Sequence, residues 1–198
     1  MTRPAIVYLH GFRSSPASAK AAQLRAAVDA LPADVRPALD IPALLPSPAA
    51  AIAQAAERID RHAGAPVTVV GSSLGGYFAT FLAERFGTRA VLVNPAVRPY
   101  DDLAPYLGPQ TNLHTGEAFD VTAAHFDELR ALRIDRITDP ARYFLMVETG
   151  DEVLDYREAV AFYGGAFQYI RGGGDHAFAD FAHQLPALLA FAGVRHDR

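Results

Sequence analysis

The amino-acid sequence predicts an α/β domain with a mostly parallel sheet of about six strands and helices on both faces. Two observations favour this fold. The chain has 198 residues, 51% of them hydrophobic, which fits one compact domain with a sizeable core. Short runs rich in β-branched residues also alternate with longer amphipathic runs along most of the length, which is the pattern of repeated strand–helix units.

The strands are predicted from short apolar runs with few charges. They lie at residues 5–10, 35–41, 66–70, 90–94, 143–148 and 166–171. The second run is the weakest because it contains Pro37, which cannot donate to a strand ladder. The third run is the clearest, since it has no charged residue, and we expect it to be buried on both faces of the sheet.

The helices are predicted from apolar residues at helical spacing. They lie at residues 18–31, 49–62, 74–86 and 156–163, with a last helix after His176. Leu24, Val28 and Leu31 give the first helix one buried face. Gly87 is expected to end the third helix, because a glycine in the left-handed conformation commonly follows the last helical residue.

The alternation stops between about residues 96 and 140, where prolines, glycines and aromatic residues are frequent. We expect this segment to be a lid-like insertion that passes over the sheet, within one domain that spans residues 1–198. Four of its residues are candidates to bind a substrate, although packing against the sheet would explain them equally well: Arg98, Tyr100, Tyr106 and Phe126.

Composition excludes several functional classes. Eighteen basic residues against 22 acidic ones give a formal charge of −4, the wrong sign for a protein that binds nucleic acid. Lys20 is the only lysine and the arginines are scattered, so no polybasic patch is available for a membrane. The absence of cysteine excludes disulfides, thiol nucleophiles and cysteine-based metal sites. The apolar run at 5–9 is too short for a signal peptide, so we expect a cytoplasmic protein.

A G-x-S-x-G motif carries the first indication of chemistry. It occupies residues 71–75, directly after the clearest strand and at the start of a helix. A side chain at the tip of such a turn requires residues without bulk two positions before and after it, and both are glycine around Ser73 but not around Ser72. The pattern predicts Ser73 as a nucleophile, and the alternative is a tight turn without catalytic function.

A serine hydroxyl needs a base to take its proton, and imidazole has a suitable pKa. His176 follows the last strand in a glycine-rich loop at residues 172–176, at the same sheet edge as Ser73. We therefore predict His176 as the base. His10 is expected to fix a loop, and the remaining histidines are expected on helix faces, in the insertion or at the terminus: His62, His114, His125, His183 and His196.

A carboxylate is needed to orient the imidazole, and two aspartates follow the strand at 143–148. Asp155 has another duty, because with Glu158 three residues later it forms a capping box for the next helix. Asp151 has no such duty and lies nearer the strand end. We predict Asp151 as the third member, with Asp155 as the alternative.

Backbone N–H groups complete the predicted site. The first strand ends at a glycine turn, so the N–H of Phe12 is expected to face Ser73. The N–H of Leu74 lies at the positive end of the following helix. Together the Phe12 and Leu74 amides would form an oxyanion hole.

With the order Ser73, Asp151, His176, the chain resembles the α/β-hydrolase superfamily, and within it the YqiA-type bacterial esterases. The resemblance rests on five blocks: YLHGFRSSPASAK (8–20), VGSSLGGY (70–77), VNPAVRP (93–99), TGDEVLDY (149–156) and GGDHAF (173–178). It implies an α/β-hydrolase fold without the first antiparallel strands of larger hydrolases. It also implies hydrolysis of carboxylic esters, with acyl thioesters such as acyl-CoA as a second class, and no metal or organic cofactor.

Two alternatives remain at this stage. The chain could be a binding protein that keeps the hydrolase scaffold, which the complete set of serine, histidine, aspartate and elbow glycines argues against. It could also use the same residues for acyl transfer or amide cleavage, and no residue pattern separates that reaction from ester hydrolysis.

Overall fold

The computed structural model describes residues 2–194, and its centre is a six-stranded parallel sheet. The strands of the chain are β1 (Ala5–Leu9), β2 (Ala38–Asp40), β3 (Val67–Ser72), β4 (Arg89–Val93), β5 (Gly108–Thr111), β6 (Ala118–Val121), β7 (Tyr143–Glu148) and β8 (Phe167–Arg171). The sheet order is β2-β1-β3-β4-β7-β8, and β5 pairs with β6 in a separate antiparallel hairpin. This architecture confirms the predicted fold class.

Helices connect the strands and cover both faces of the sheet. They are α1 (Ala19–Asp29), α2 (Pro48–Asp60), α3 (Leu74–Phe86), α4 (Pro99–Asp102), α5 (Ala123–Ala131), α6 (Tyr156–Phe162) and α7 (Phe181–Phe191). Among the helices of residues 2–194, none combines the length and apolar character that crossing a membrane requires.

The strand order places the functional residues at one edge of the sheet. The chain moves from β1 outward to β2 and then returns past β1 to β3, so the order reverses between β1 and β3. Since all six strands are parallel, their carboxyl ends meet at the same edge, and the loops that follow β1, β3, β4, β7 and β8 lie together there.

Apolar residues of the central strands are buried on alternating sides. Val7 and Val69 belong to the hydrophobic cluster under α2 and α3, whereas Ile6 and Val70 belong to the cluster that contains residues of α1 and α7. Val69 and Val70 are fully buried and point to opposite faces, which confirms the prediction that this strand is covered on both faces.

The second strand is shorter than predicted. It begins after Pro37, at Ala38, whose N–H donates to the Pro4 carbonyl at 3.0 Å. The N–H groups of Val35 and Arg36 instead donate to the Pro32 carbonyl in a turn, at 3.2 and 3.0 Å. Pro37 has no N–H to donate to the neighbouring strand, so β2 cannot begin before Ala38.

The segment between β4 and β7 contains α4, the β5–β6 hairpin and α5, none of which is predicted from the sequence. The hairpin packs on the loop after β1. The ring of Phe12 meets Tyr106 and Phe119 edge-on, with centroids 5.4 and 5.9 Å apart. Asn112 Nδ2 donates to the Ser14 carbonyl at 2.8 Å, and the Leu113 N–H donates to the Arg13 carbonyl at 2.8 Å. The insertion is thereby attached to the loop that carries Phe12.

Candidate active site

Ser73 lies at the sharp turn between β3 and α3. Its backbone has φ 56° and ψ −124°, a conformation that residues other than glycine rarely adopt. Three hydrogen bonds hold it there: its N–H donates to the Val93 carbonyl at 3.0 Å, and its carbonyl accepts from Gly76 at 2.8 Å and Ala96 at 3.1 Å. The turn is fixed by bonds to the neighbouring strand end, and the Ser73 side chain lines a surface cavity.

The two glycines that flank Ser73 are required by close backbone approach. A Cβ atom on Gly71 would overlap the carbonyl oxygen of Gly75. A Cβ atom on Gly75 would overlap the carbonyl oxygen of Leu9, at the end of β1. The motif spacing therefore has the steric cause that the sequence predicts, and it also lets α3 begin directly against the central strands.

His176 contacts both Ser73 and Asp151. Its Nε2 lies 3.0 Å from Ser73 Oγ, and its Nδ1 lies 2.9 Å from Asp151 Oδ2 and 3.0 Å from Oδ1. An ionised carboxylate only accepts hydrogen bonds. Nδ1 therefore carries the ring proton and donates a hydrogen bond to Asp151. The lone pair of Nε2 then faces the Ser73 hydroxyl, which donates to it.

Asp151 is held in a buried position, with 2% of its side chain exposed. Its Oδ1 also accepts the N–H groups of Val153 and Leu154, both at 2.9 Å. Burial raises the pKa of Asp151, but the hydrogen bonds from His176 and from the two backbone N–H groups lower it by more, so the pKa lies below the ordinary aspartate value. The carboxylate is ionised at neutral pH.

Asp155 does not contact His176 and caps the next helix instead. Its Oδ1 accepts the N–H of Arg157 at 3.0 Å at the start of α6. The capping function of Asp155 is as predicted, but the reciprocal half of the capping box is wrong, because the Glu158 carboxylate pairs with Arg98 from the insertion. Of the two aspartates, Asp151 is the one that the structure brings to His176.

The predicted oxyanion donors lie beside Ser73. A Cβ atom on Gly11 would be 3.1 Å from Ser73 Cβ, so the turn that precedes Phe12 packs against the serine. Phe12 and Leu74 line the same cavity as Ser73 and His176. Within residues 2–194, neither the Phe12 N–H nor the Leu74 N–H donates a hydrogen bond to the protein.

His10 fixes the loop after β1, as predicted. It is buried, and its Nε2 accepts the N–H of Leu44 at 3.1 Å. Burial lowers its pKa, which favours the neutral ring that this bond requires. Four other histidines make contacts away from Ser73: His62, His114, His125 and His183. His196 lies outside the described residues.

A cavity of about 460 Å³ opens at Ser73 and His176. Its walls are mainly apolar side chains from the insertion and from the loop after β7, among them Leu103, Pro105, Tyr106, Leu113 and Val153. The sequence pattern does not mark Leu103, Leu113 or Val153 as site residues, since they lie in irregular loops without periodicity. Leu113 is 70% exposed, so part of this wall is open to solvent.

Only Tyr106, of the four insertion residues considered as substrate contacts, lines this cavity. Arg98 pairs with Glu158, and Tyr100 and Phe126 pack against the hydrophobic core. The charged side chains around the cavity are Arg13, Asp102 and Glu152. Burial and the charges of Glu158 and Asp101 raise the pKa of Asp102. In the part of the chain that the structure describes, no three His, Asp or Glu side chains cluster as a metal site.

A model of the uncharacterised protein family UPF0227 matches residues 5–193. The chain belongs to this family. The resemblance to the YqiA-type proteins is thereby confirmed, because UPF0227 is the YqiA-like family.

Solved structures share the fold of this UPF0227 protein. A protein from Agrobacterium vitis S4 is 19% identical with a TM-score of 0.76, covering 96% of this chain and 88% of its own. Alpha/beta hydrolase domain-containing protein 10 from mouse is 16% identical with a TM-score of 0.72, covering 96% and 89%. The esterase domain of a Rhodothermus marinus protein is 16% identical with a TM-score of 0.69, covering 96% and 88%. At these identities the likeness establishes the α/β-hydrolase fold.

Proposed function

We propose that this protein is a serine hydrolase that cleaves small carboxylic esters through an acyl-enzyme, with acyl thioesters such as acyl-CoA as a second substrate class. The observation that carries the proposal is the pair of contacts made by one imidazole, 3.0 Å to Ser73 Oγ and 2.9 Å to Asp151. A merely structural histidine has no need of a serine hydroxyl that lines a cavity on one side and a buried carboxylate on the other.

The first half of the reaction forms the acyl-enzyme. His176 Nε2 takes the hydroxyl proton as Ser73 Oγ attacks the acyl carbon. The carbonyl oxygen becomes an oxyanion, which the N–H groups of Phe12 and Leu74 and the positive end of α3 stabilise. Asp151 stabilises the imidazolium. When the tetrahedral intermediate collapses, the leaving alcohol or thiol takes the proton from Nε2 and the acyl group stays on Ser73.

The second half releases the acid. Water enters the position that the leaving group vacated, and His176 Nε2 takes one of its protons as the oxygen attacks the acyl carbon. The oxyanion forms at the same two N–H groups. Collapse breaks the bond to Ser73 Oγ, which recovers its proton from His176. The residues named account for every proton moved, and the site needs no cofactor for these steps.

The walls of the cavity support an apolar acyl group as the part of the substrate that is recognised. Leucine, valine and proline side chains surround the position next to Ser73, and apolar surface removed from water favours binding. An ester is supported over an amide by the structurally similar esterase domain from Rhodothermus marinus.

Hydrolysis of short-chain and long-chain p-nitrophenyl esters and of an acyl-CoA tests the proposal, with wild type and Ser73→Ala compared from about pH 5 to 9. We expect Ser73→Ala to lose kcat by about 10³-fold or more. Ser72→Ala is the matched control, since it removes a neighbouring hydroxyl that does not contact His176, and it should keep the wild-type rate.

Ser73→Ala with wild-type activity would refute the assignment. If the wild type turns over none of the substrates, a serine-directed phosphonate separates the two readings that remain. Adduct formation on Ser73 indicates an enzyme with a narrow substrate range, and its absence indicates a binding protein on a hydrolase scaffold.

A further inference from the structure

The loop that carries His176 has no regular secondary structure, and hydrogen bonds from buried polar side chains hold it in place. The loop follows β8 and turns at Gly173 and Gly174, which have φ of 74° and 77°. A Cβ atom on Gly174 would overlap the carboxylate of Glu148, so the loop packs directly on that side chain. The position of the imidazole therefore depends on what anchors residues 173–177.

Asn94 makes three hydrogen bonds with one amide group, and two of them anchor this loop. Its Nδ2 donates to the carbonyl of Asp175 at 3.0 Å and to that of His176 at 3.3 Å. Its Oδ1 accepts the N–H of Glu148 at 3.0 Å, at the end of β7. The side chain is attached directly after β4, and the residue is 2% exposed. One side chain thus joins the ends of β4 and β7 to the histidine loop.

The residue type is suited to this position for two reasons. Asn94 has φ 40°, in the left-handed region that asparagine tolerates better than most residues. The asparagine side chain also has an acceptor, Oδ1, and an NH₂ group with two donors, Nδ2, which matches the three contacts. The Asn94 N–H donates to the Met146 carbonyl at 2.9 Å, which holds the residue against β7.

Glu148 supports the same loop from β7. It is fully buried, its Oε2 accepts the Asp175 N–H at 2.9 Å, and its Oε1 accepts from Arg171 at 2.6 Å. Two further contacts reach neighbouring loop groups: the His176 N–H donates to Glu152 at 3.0 Å, and Lys20 Nζ donates to the Ala177 carbonyl at 2.7 Å. Asn94 is the member that reaches the two carbonyls at Asp175 and His176.

We propose that Asn94 is a positioning residue for the reaction, which holds the loop so that His176 lies within hydrogen-bond reach of Ser73 and Asp151 together. The inference rests on the proposed hydrolase function. The imidazole must keep both bonds near 3 Å, and a displacement of about 1 Å in an active site can cost about a hundredfold in rate. Asn94 does not line the cavity, so its side chain acts on the reaction through the histidine loop.

Asn94→Asp is the main test. Aspartate has the same shape and tolerates the backbone conformation, but its second oxygen would face the two carbonyl oxygens and donate nothing. We expect kcat to fall about a hundredfold while KM for a p-nitrophenyl ester stays within about threefold of wild type, since the cavity walls are unchanged. Asn94→Gly removes the amide without adding charge and should give the same division between kcat and KM.

Tyr143→Phe is the control for a general loss of stability. It removes a buried hydroxyl that donates to Glu84 at the opposite end of β7, far from the catalytic edge of the sheet. We expect this variant to unfold at a lower temperature with unchanged kcat. A kcat within twofold of wild type in either folded Asn94 variant, or an equal loss in Tyr143→Phe, would overturn the proposal.

A spectroscopic measurement separates this inference from the proposed function. The Nδ1 proton of His176 bonds to Asp151, and such protons give downfield proton NMR signals, here identified by the absence of the signal in His176→Ala. The signal should weaken or shift in Asn94→Asp and persist in Tyr143→Phe, whether or not an ester is hydrolysed. An unchanged signal in Asn94→Asp contradicts the positioning function. If the wild type hydrolyses no ester but its signal is lost in Asn94→Asp, only the proposed activity is contradicted.

Discussion

The substitution Asp151→Asn tests how the carboxylate acts on His176. Asp151 Oδ1 accepts two backbone N–H groups, from Val153 and Leu154, and lies 3.0 Å from the imidazole, whereas Oδ2 contacts the imidazole alone, at 2.9 Å. In Asp151→Asn the amide oxygen should remain at the Oδ1 position, where it keeps both backbone bonds. The NH₂ group then occupies the Oδ2 position and faces His176 Nδ1.

This arrangement reverses the tautomer of His176. With that NH₂ group donating to it, Nδ1 accepts, so the ring proton moves to Nε2, which then donates to Ser73 Oγ and cannot take the serine proton. The geometry stays intact, so the loss is chemical. We expect kcat to fall by about 10⁴-fold, the loss seen for the same change in a serine protease triad, equivalent to about 5 kcal/mol of transition-state stabilisation.

The assay is turnover of a p-nitrophenyl ester together with thermal unfolding, with Asp155→Asn as the matched control. Asp155 caps α6 and forms an exposed ion pair with Arg157. Asparagine caps helices as well as aspartate and exposed ion pairs contribute little, so this control should retain activity and nearly all of the stability. Full activity in Asp151→Asn, or a comparable loss in Asp155→Asn, would refute the assignment of the third triad residue.

Three further predictions concern stability and substrate range. Because folding lowers the pKa of Asp151, its carboxylate stabilises the fold above the ordinary value of about 3.9, and this contribution is lost as the pH falls through the folded-state pKa. Urea denaturation should therefore show Asp151→Asn less stable than wild type at about pH 7 and closer to it at about pH 3. Gly75→Ala should lower the free energy of unfolding by about 3 kcal/mol or more, because the added methyl group overlaps the Leu9 carbonyl, and a wild-type denaturation midpoint would contradict this. Leu113→Ser should raise KM by about fivefold for a long-chain ester, roughly 1 kcal/mol of lost apolar contact, and leave KM for the acetate ester unchanged; equal effects on both esters would exclude Leu113 from the acyl site.

Local pattern was sufficient to predict the central sheet and the glycine-flanked turn at Ser73. The strand at 66–70 has no charged residue, and a Cβ atom on Gly71 would overlap the Gly75 carbonyl within the same turn. These features depend on residues close in sequence, so they are visible without the fold. The preference for Asp151 over Asp155 also rested on a local feature, the N-terminal cap of α6, which the structure contains.

Contacts between distant segments could not be predicted in the same way. The β5 strand reads Gly-Pro-Gln-Thr and has little strand propensity, so its pairing with β6 depends on packing against Phe12. Asn94 lies 82 residues from His176 in sequence, and nothing near it indicates a partner. The capping box failed for a similar reason, because Arg98, from a different segment, competes for Glu158.

Covalent labelling tests the central claim most directly. Wild type treated with a serine-directed fluorophosphonate at neutral pH should gain one adduct in its intact mass, and peptide mapping should locate it on Ser73. The same reaction should fail in Ser73→Ala and be much slower in His176→Ala, since the imidazole takes the serine proton. An adduct of equal extent in Ser73→Ala, or no adduct on the folded wild type, would contradict Ser73 as an activated nucleophile.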